Sequence, residues 1–193
     1  MQLMGGIFYL LSKILFSRGE RARLKQHDPQ KWRTWAWICY MIGLVPWVVI
    51  FVWGRNWIAA SVEASALPSM ILGLVVAMRN GDVTRSPKWL RKLTLVFIPV
   101  GFFISLYDFG GITTINQYLE IGIVTGYIMG TYLLAKENAH GYLWLVPMHL
   151  SCGYLMWIQS YEWLTLQQIL SLAFVGDAYR ISRRERFNRL QAS

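Results

Sequence analysis

Long apolar runs alternate with short basic segments along this chain. A helix needs about 17–25 mostly apolar residues to cross the hydrocarbon core of a bilayer. Six candidate runs lie at residues 35–53, 57–78, 93–107, 113–135, 141–158 and 163–179. The first run holds no charged side chain, whereas the last is the most polar and contains Gln167, Gln168 and Asp177. The pattern predicts an all-α polytopic membrane protein that forms a single transmembrane domain over residues 1–193.

Residues 1–16 (MQLMGGIFYLLSKILF) allow two interpretations. A helix of this length reaches only about 24 Å at 1.5 Å per residue, which is short for a membrane span. It forms either an interfacial helix or a short first span that enters from outside. In both cases we expect Lys13 to extend its ammonium group to the inner surface. The chain is therefore predicted to have six or seven transmembrane helices.

The basic residues fix the predicted orientation. Residues 17–34, 79–92 and 180–193 carry most of the 19 Lys and Arg residues, and in a six-span topology only Arg55 lies on the opposite side. Short loops rich in Lys and Arg stay in the cytoplasm. We therefore expect a multi-pass protein of the cell membrane, of the bacterial inner-membrane type, with a basic cytoplasmic segment at 17–34 and a basic cytoplasmic tail at 180–193.

Composition supports a membrane protein. Charged residues make up 15% of the chain and apolar ones 55%, against about 25% charged residues in an ordinary soluble domain. The loops account for the net charge of +9 without nucleic acid as a partner, and membrane lipids with anionic headgroups are the expected contacts. Cys39 and Cys152 both lie inside apolar runs and are expected to be small buried side chains.

Small residues recur every four positions in two of the predicted spans. Glu63 is followed by Ser65, Ser69 and Gly73, and Glu120 is followed by Gly122, Gly126 and Gly130, at a constant shift. Residues four apart share one face of a helix. Small residues on that face let membrane helices approach closely. The repeat indicates either a duplicated bundle or two independent adaptations to close packing, and the sequence leaves both open.

Ionisable and amide side chains inside membrane spans are costly, so they are candidates for function. Asn116, Glu120, Tyr127 and Thr131 form a polar stripe, whereas Glu63 has mostly apolar neighbours at helical spacing. His149 lies near the centre of its span, close after Pro147. We expect a midplane binding site for a small molecule, formed by Asn116, Glu120, Tyr127, His149, Trp157 and Gln168.

Several chemistries have no signature in this sequence. It contains no glycine-rich phosphate loop, no Cys/His cluster with metal-ligand spacing and no nucleophile elbow. Ser151 and His149 are two residues apart, which points them to different sides of a helix. The sequence therefore predicts a protein that is not an enzyme and that carries neither a cofactor nor a metal.

The closing half resembles nicotinamide riboside transporters of the PnuC type. The resemblance rests on a glycine-bearing helix that ends in Leu-Ala-Lys, a Trp-bearing helix, an aromatic turn and a basic tail. The matching pieces are Leu134-Ala135-Lys136, Trp144, Tyr161 to Trp163 and Arg183-Arg184. The closing sequence at 176–184 (GDAYRISRR) departs from the Gly-aromatic-x-x-Trp ending of that family.

The resemblance implies a fold and a function. It implies two parallel three-helix bundles joined by a linking helix, akin to the SWEET sugar transporters, and residues 1–16 would then be the seventh span. It also implies facilitated diffusion of a small polar, aromatic-containing metabolite such as a nicotinamide riboside-like vitamin precursor. The alternative is a non-catalytic transmembrane subunit or scaffold of a larger membrane complex. The sequence leaves the oligomeric state open, a homo-oligomer included.

Overall fold

The described part of the chain is entirely helical. The structure is a computed structural model that describes residues 2–79, 103–104, 106–107, 110–111 and 113–192, with side chains up to Arg184 in the last helix. Its helical segments are α1 Gln2–Leu24, α2 Gln30–Trp53, α3 Trp57–Ser65, α4 Leu67–Met78, α5 Ile115–Ala135, α6 His140–Ile158 and α7 Glu162–Ala192. Almost all of the predicted span at 93–107 and the loop after Arg79 lie outside the described residues.

Three helical stretches are long and apolar enough to cross a membrane. They are Gln30–Trp53, Trp57–Met78 and Ile115–Ala135, among the residues that the structure describes. The second stretch is α3 continued by α4, with a break at Ala66. Pro68 lies in the first turn of α4, where its missing N–H cannot continue the hydrogen-bond ladder of α3. The predicted spans at 113–135 and 141–158 correspond to α5 and α6.

The first two helices differ from the sequence prediction. Residues 17–34 do not form a separate basic segment, because α1 continues to Leu24 and α2 already begins at Gln30. The last helix likewise runs from Glu162 through the predicted tail to Ala192. Lys13 does not reach the surface: only 1% of it is exposed. Tertiary contacts explain these differences, since polar residues of α1 meet partners on other helices.

The helices form a closed ring. Each element packs on the next along the chain, in the order α1, α2, α3/α4, α5, α6 and α7, and α7 packs back on α1. Aromatic side chains of α2 line the inside of this ring and pack on α1; they include Trp37, Tyr40 and Trp47. Cys39 and Cys152 are free and buried, as expected.

Among the described residues, four turns between successive helices form two matching pairs. The α1–α2 and α5–α6 turns lie at what we call the basic end, and each has one residue with positive φ, Gln26 (59°) and Glu137 (60°). The α2–α3 and α6–α7 turns lie at the opposite, distal end, with Arg55 (54°) and Ser160 (61°) in the same role. In every case the next N–H bonds a carbonyl five residues back, which is a Schellman cap. The halves 2–79 and 115–192 therefore share helix order and turn geometry.

The small-residue stripes both lie in close contact with a neighbouring helix. A side chain at Gly126 would meet the backbone of Trp144 and Met148 in α6, and one at Gly73 would meet the Trp37 ring in α2. By turn geometry, α5 corresponds to α1. By the 57-residue sequence shift, α5 corresponds instead to α3/α4. The shift thus relates helices that are not equivalent in the ring, which favours packing as its cause.

Candidate functional site

A tyrosine and carboxylate network lies at the centre of the ring. The hydroxyl of Tyr9 on α1 donates a hydrogen bond to Glu63 on α3, and the Tyr127 hydroxyl of α5 lies 3.3 Å from the Tyr9 oxygen. Glu63 and both tyrosines are buried. Three helices that are distant in sequence thus share one buried polar contact.

Lys13 lies one helical turn from Tyr9, on the same face of α1. Its ammonium nitrogen is 3.7 Å from the centre of the Tyr40 ring and 5.9 Å from that of Tyr9. Such contacts attract a cation to the ring face. The Nζ atom has no hydrogen-bond partner among the described residues. Lys13 is therefore a buried cation held by aromatic rings.

A second polar chain connects α6 and α7. The Nδ1 atom of His149 lies 2.5 Å from the Oε1 atom of Gln168, and this amide oxygen accepts a hydrogen bond from the ring N–H. Gln168 then donates to the side-chain oxygen of Gln167 at 3.3 Å, and Gln167 donates to the Ser171 hydroxyl at 2.6 Å. The His149 Nε2 atom has no partner within the described part of the chain.

Three of the six predicted site residues are therefore inside the ring. Tyr127 belongs to the Tyr9–Glu63 network, and its ring packs at a right angle to that of Tyr40, with centres 6.0 Å apart. His149 and Gln168 belong to the second chain. Lys13 and Tyr40 adjoin the tyrosine network through ring contacts. We call the buried residues of both groups, together with Lys13 and Tyr40, the central cluster.

Glu120 and Asn116 lie away from the central cluster. The Glu120 carboxylate accepts a hydrogen bond of 2.9 Å from the backbone N–H of Ala59, in the first turn of α3. Asn56 is the N-cap residue of α3, but its side chain makes no capping hydrogen bond. Glu120 thus caps α3 from a neighbouring helix. Asn116 is half-buried in the first turn of α5.

Trp157 is directed outward rather than into the interior. Its side chain is 66% exposed and borders a groove of about 400 Å³ between α6 and α7. His149 and Gln168 also line this groove, together with Tyr154 and other side chains. The sequence prediction grouped Trp157 with His149 because both lie on one broad side of α6. In the structure only His149 is buried.

Polar contacts between the two halves close the interior at both ends. At the distal end, the side-chain amides of Asn56 and Gln159 exchange two hydrogen bonds of 3.0 Å. At the basic end, Arg33 pairs with Glu20 at 2.8 Å and with Glu137 at 2.7 Å, and the Tyr142 hydroxyl donates to Glu20 at 3.0 Å. Arg23 also pairs with Glu137. The central cluster is enclosed between these two layers.

Sequence reasoning missed Tyr9, Lys13, Tyr40 and Glu63. Two of them, Tyr9 and Lys13, could have been found from the spacing in α1, where Tyr9, Lys13, Phe16 and Glu20 recur at three or four residues and form one stripe. That stripe continues past residue 16 and predicts a longer helix. Glu63 gave no such signal, because its partner Tyr9 is 54 residues away in the sequence.

Comparisons with protein-family models, with curated proteins and with solved structures gave no match to this chain.

Proposed function

We propose that this protein is an integral membrane transporter that moves a small polar, aromatic-containing metabolite through the interior of its helical ring. The observation that carries the proposal is the convergence of polar side chains from α1, α3, α5, α6 and α7 on one enclosed region. A subunit that only contacts partner helices would direct such stripes outward. Buried polar groups at membrane depth are expensive, and they commonly mark substrate or ion pathways.

Unpaired polar atoms support a path for a polar solute. The indole N–H groups of Trp47 and Trp37, the Lys13 ammonium and the His149 Nε2 atom are buried without a hydrogen-bond partner among the described residues. Trp47 and Trp37 are ten residues apart on α2, which corresponds to about 15 Å along the helix axis. Lys13 and Tyr40 lie between them. A solute that passes along α2 would meet hydrogen-bonding groups at each depth.

The matching halves support a transporter architecture. Residues 2–79 and 115–192 have the same helix order and paired turns. We interpret them as two parallel three-helix bundles, which the resemblance to PnuC-type and SWEET transporters implies. Parallel repeats in transporters place the substrate site at their interface, near the bilayer centre. The segment that would link the bundles lies outside the described residues.

The chemistry of the interior suits an aromatic metabolite. Tyr9, Tyr40 and Tyr127 offer ring edges and hydroxyls, and His149 and Gln168 offer polar contacts. Binding sites for small molecules typically combine apolar and aromatic walls with a few polar groups. A nicotinamide riboside-like vitamin precursor, as the resemblance implies, combines a planar ring with hydroxyls. The proposed transporter is not an enzyme and needs no cofactor or metal.

A flux assay tests this proposal. The purified protein is reconstituted into vesicles, and uptake of labelled nicotinamide riboside and of other aromatic vitamins is measured against empty vesicles. Tyr127→Phe removes the hydroxyl from the central cluster and should lower uptake several-fold. Tyr154→Phe, on the exposed side of α6, is the matched control and should leave uptake unchanged. Equal uptake by protein-containing and empty vesicles for every compound would contradict a transport function.

The proposed orientation has the basic end in the cytoplasm, since Lys and Arg concentrate in cytoplasmic loops. Asp28 and Ser160 are exposed residues at the basic and distal ends. In a variant without Cys39 and Cys152, a cysteine at Asp28 should be shielded from an impermeant thiol reagent in intact cells. A cysteine at Ser160 should react. The reverse labelling pattern would overturn the orientation.

The rival proposal is a non-catalytic subunit of a larger membrane complex. The exposed tryptophans Trp53, Trp157 and Trp163 could contact a partner helix. All three lie toward the distal end of their helices, where aromatic side chains also prefer the headgroup region of a bilayer. Copurification of a stoichiometric partner, together with absence of flux, would favour this function.

A further inference from the structure

Lys13 is the charged group in the central cluster whose charge has no direct partner. It lies near the middle of α1, and its ammonium nitrogen has no hydrogen-bond partner among the described residues. A buried ammonium without a hydrogen-bonded partner costs several kcal/mol. Its contact with the Tyr40 ring offsets part of that cost. The remaining cost indicates that Lys13 is retained for an interaction beyond packing.

The nearest acid of the cluster is already engaged. Glu63 accepts the hydroxyl of Tyr9, and it forms no ion pair with Lys13 among the contacts of the described residues. The acids of the basic end are also occupied, Glu20 by Arg33 and Glu137 by Arg23 and Arg33. Further donors, the indole N–H groups of Trp37 and Trp47, are unpaired along the same interior. The cluster therefore has spare hydrogen-bond donors, the Lys13 nitrogen among them.

Two tyrosine rings, those of Tyr40 and Tyr9, flank the Lys13 nitrogen. The Tyr9 and Tyr40 rings meet edge to face with centres 4.8 Å apart, and Tyr40 stacks on Trp37 at 6.0 Å. Tyr127 completes this wall from α5. A planar ring bound here would find the offset and edge contacts that aromatic groups prefer. An anionic group on that ring would supply the acceptor that Lys13 lacks.

We infer that the transported metabolite is a small aromatic acid, and that Lys13 binds its carboxylate. This inference rests on the proposed transport function and narrows its substrates from polar aromatic metabolites in general to those with a carboxylate, which excludes nicotinamide riboside itself. The carboxylate accepts a hydrogen bond from Lys13 Nζ, and the ring packs among Tyr9, Tyr40 and Tyr127. The His149 Nε2 atom is left to accept a hydrogen bond from a hydroxyl or ring N–H of the substrate, because the Nδ1 atom is already bonded to Gln168.

Matched acids and amides test the inference. The full-length protein is purified in detergent, and thermal shift and calorimetry are run with nicotinate and nicotinamide, indole-3-acetate and indole-3-acetamide, and 4-hydroxybenzoate and 4-hydroxybenzamide. Each pair shares a ring and differs in charge. At least one acid should bind about tenfold or more tightly than its amide, the scale of one charged hydrogen bond. If no acid binds, or if every amide binds as well as its acid, the inference is wrong.

Two variants assign the preference to Lys13. Lys13→Met removes the charge and keeps an unbranched chain, so the acid should lose its advantage over the amide. Lys13→Arg keeps the charge and should retain the preference. If Lys13→Met binds acids with the wild-type preference, the carboxylate lies elsewhere and the inference fails. If Lys13→Met does not fold, the acid–amide comparison in the wild type and in Lys13→Arg still decides.

Flux measurements separate this inference from the transport proposal. If acids bind in a Lys13-dependent way but none enters protein-containing vesicles faster than empty ones, the binding site stands and transport fails. If amides or uncharged vitamins enter and acids neither enter nor compete, transport stands and the assignment of an acidic substrate fails. Lys13-dependent uptake of an acid would support both.

Discussion

Glu120, on α5, caps the neighbouring helix α3. This role determines how substitution of Glu120 affects stability. The first N–H groups of a helix have no partner within the helix, and Glu120 accepts the one at Ala59. A carboxylate at this end also interacts favourably with the helix dipole. Glu120→Ala should lower the free energy of unfolding by about 1–3 kcal/mol, because it leaves a buried N–H unpaired. Glu120→Gln keeps an acceptor and should cost less. Unfolding in mixed micelles measures both, and equal losses would contradict the capping role.

Glu63 should matter more than Glu120 for transport. The sequence favoured Glu120 as the ligand contact because its own helix carries polar neighbours. In the structure, Glu63 belongs to the network formed with Tyr9 and Tyr127, whereas Glu120 accepts a hydrogen bond from a backbone N–H. Glu63→Gln should therefore reduce vesicle uptake several-fold more than Glu120→Gln does. An equal loss in the two variants, at matched amounts of folded protein, would remove Glu63 from the transport path.

At the scale of the helix, close packing of α5 on α6 depends on the glycine stripe. The would-be side chain at Gly126 meets the carbonyl of Trp144 and the backbone of Met148, which cannot move aside without displacing the helix. Gly126→Leu should separate the two helices and lower the melting temperature markedly. Val124→Leu, at a half-buried position of the same helix, is the control and should change it little. Melting of Gly126→Leu at the wild-type temperature would show that the stripe is not packed.

The helices differ in how well the sequence predicted them, and charge explains the difference. The bounds of α5 and α6 follow from apolar runs with few ionisable residues, a local property that any window reveals. The extent of α1 could not be read in this way, because Lys13 and Glu20 look like residues of a surface. They are buried because they contact residues of α2: Lys13 lies over the Tyr40 ring, and Glu20 pairs with Arg33. Dependence on partners in other helices also explains why the sequence did not identify half of the central cluster.

At the scale of the whole molecule, the interior is closed at both ends by contacts between the two halves. The Asn56–Gln159 amide pair joins the distal turns, and the Glu20–Arg33–Glu137 ion pairs join the basic end. The two closures are chemically unequal. Two neutral hydrogen bonds contribute about 0.5–1.5 kcal/mol each, whereas the hydrogen bonds to charged groups at the basic end contribute about 1.5–3 kcal/mol each. The distal end should therefore open more readily than the basic end.

Locking the distal turns together should stop transport without damaging the fold. Cysteines at Asn56 and Gln159, in a background without Cys39 and Cys152, would be joined by a short bifunctional thiol reagent across the space that the amide pair now spans. Flux through vesicles should fall nearly to the level of empty vesicles, because a solute site between two closures needs each to open in turn. Binding of substrate already inside the ring would remain detectable.

The matched control joins cysteines at Asn56 and Arg55, within one turn, and should leave flux intact. Unchanged flux in the fully cross-linked Asn56–Gln159 protein would mean that the solute does not pass between the halves at the distal end, and the ring interior would no longer qualify as the path.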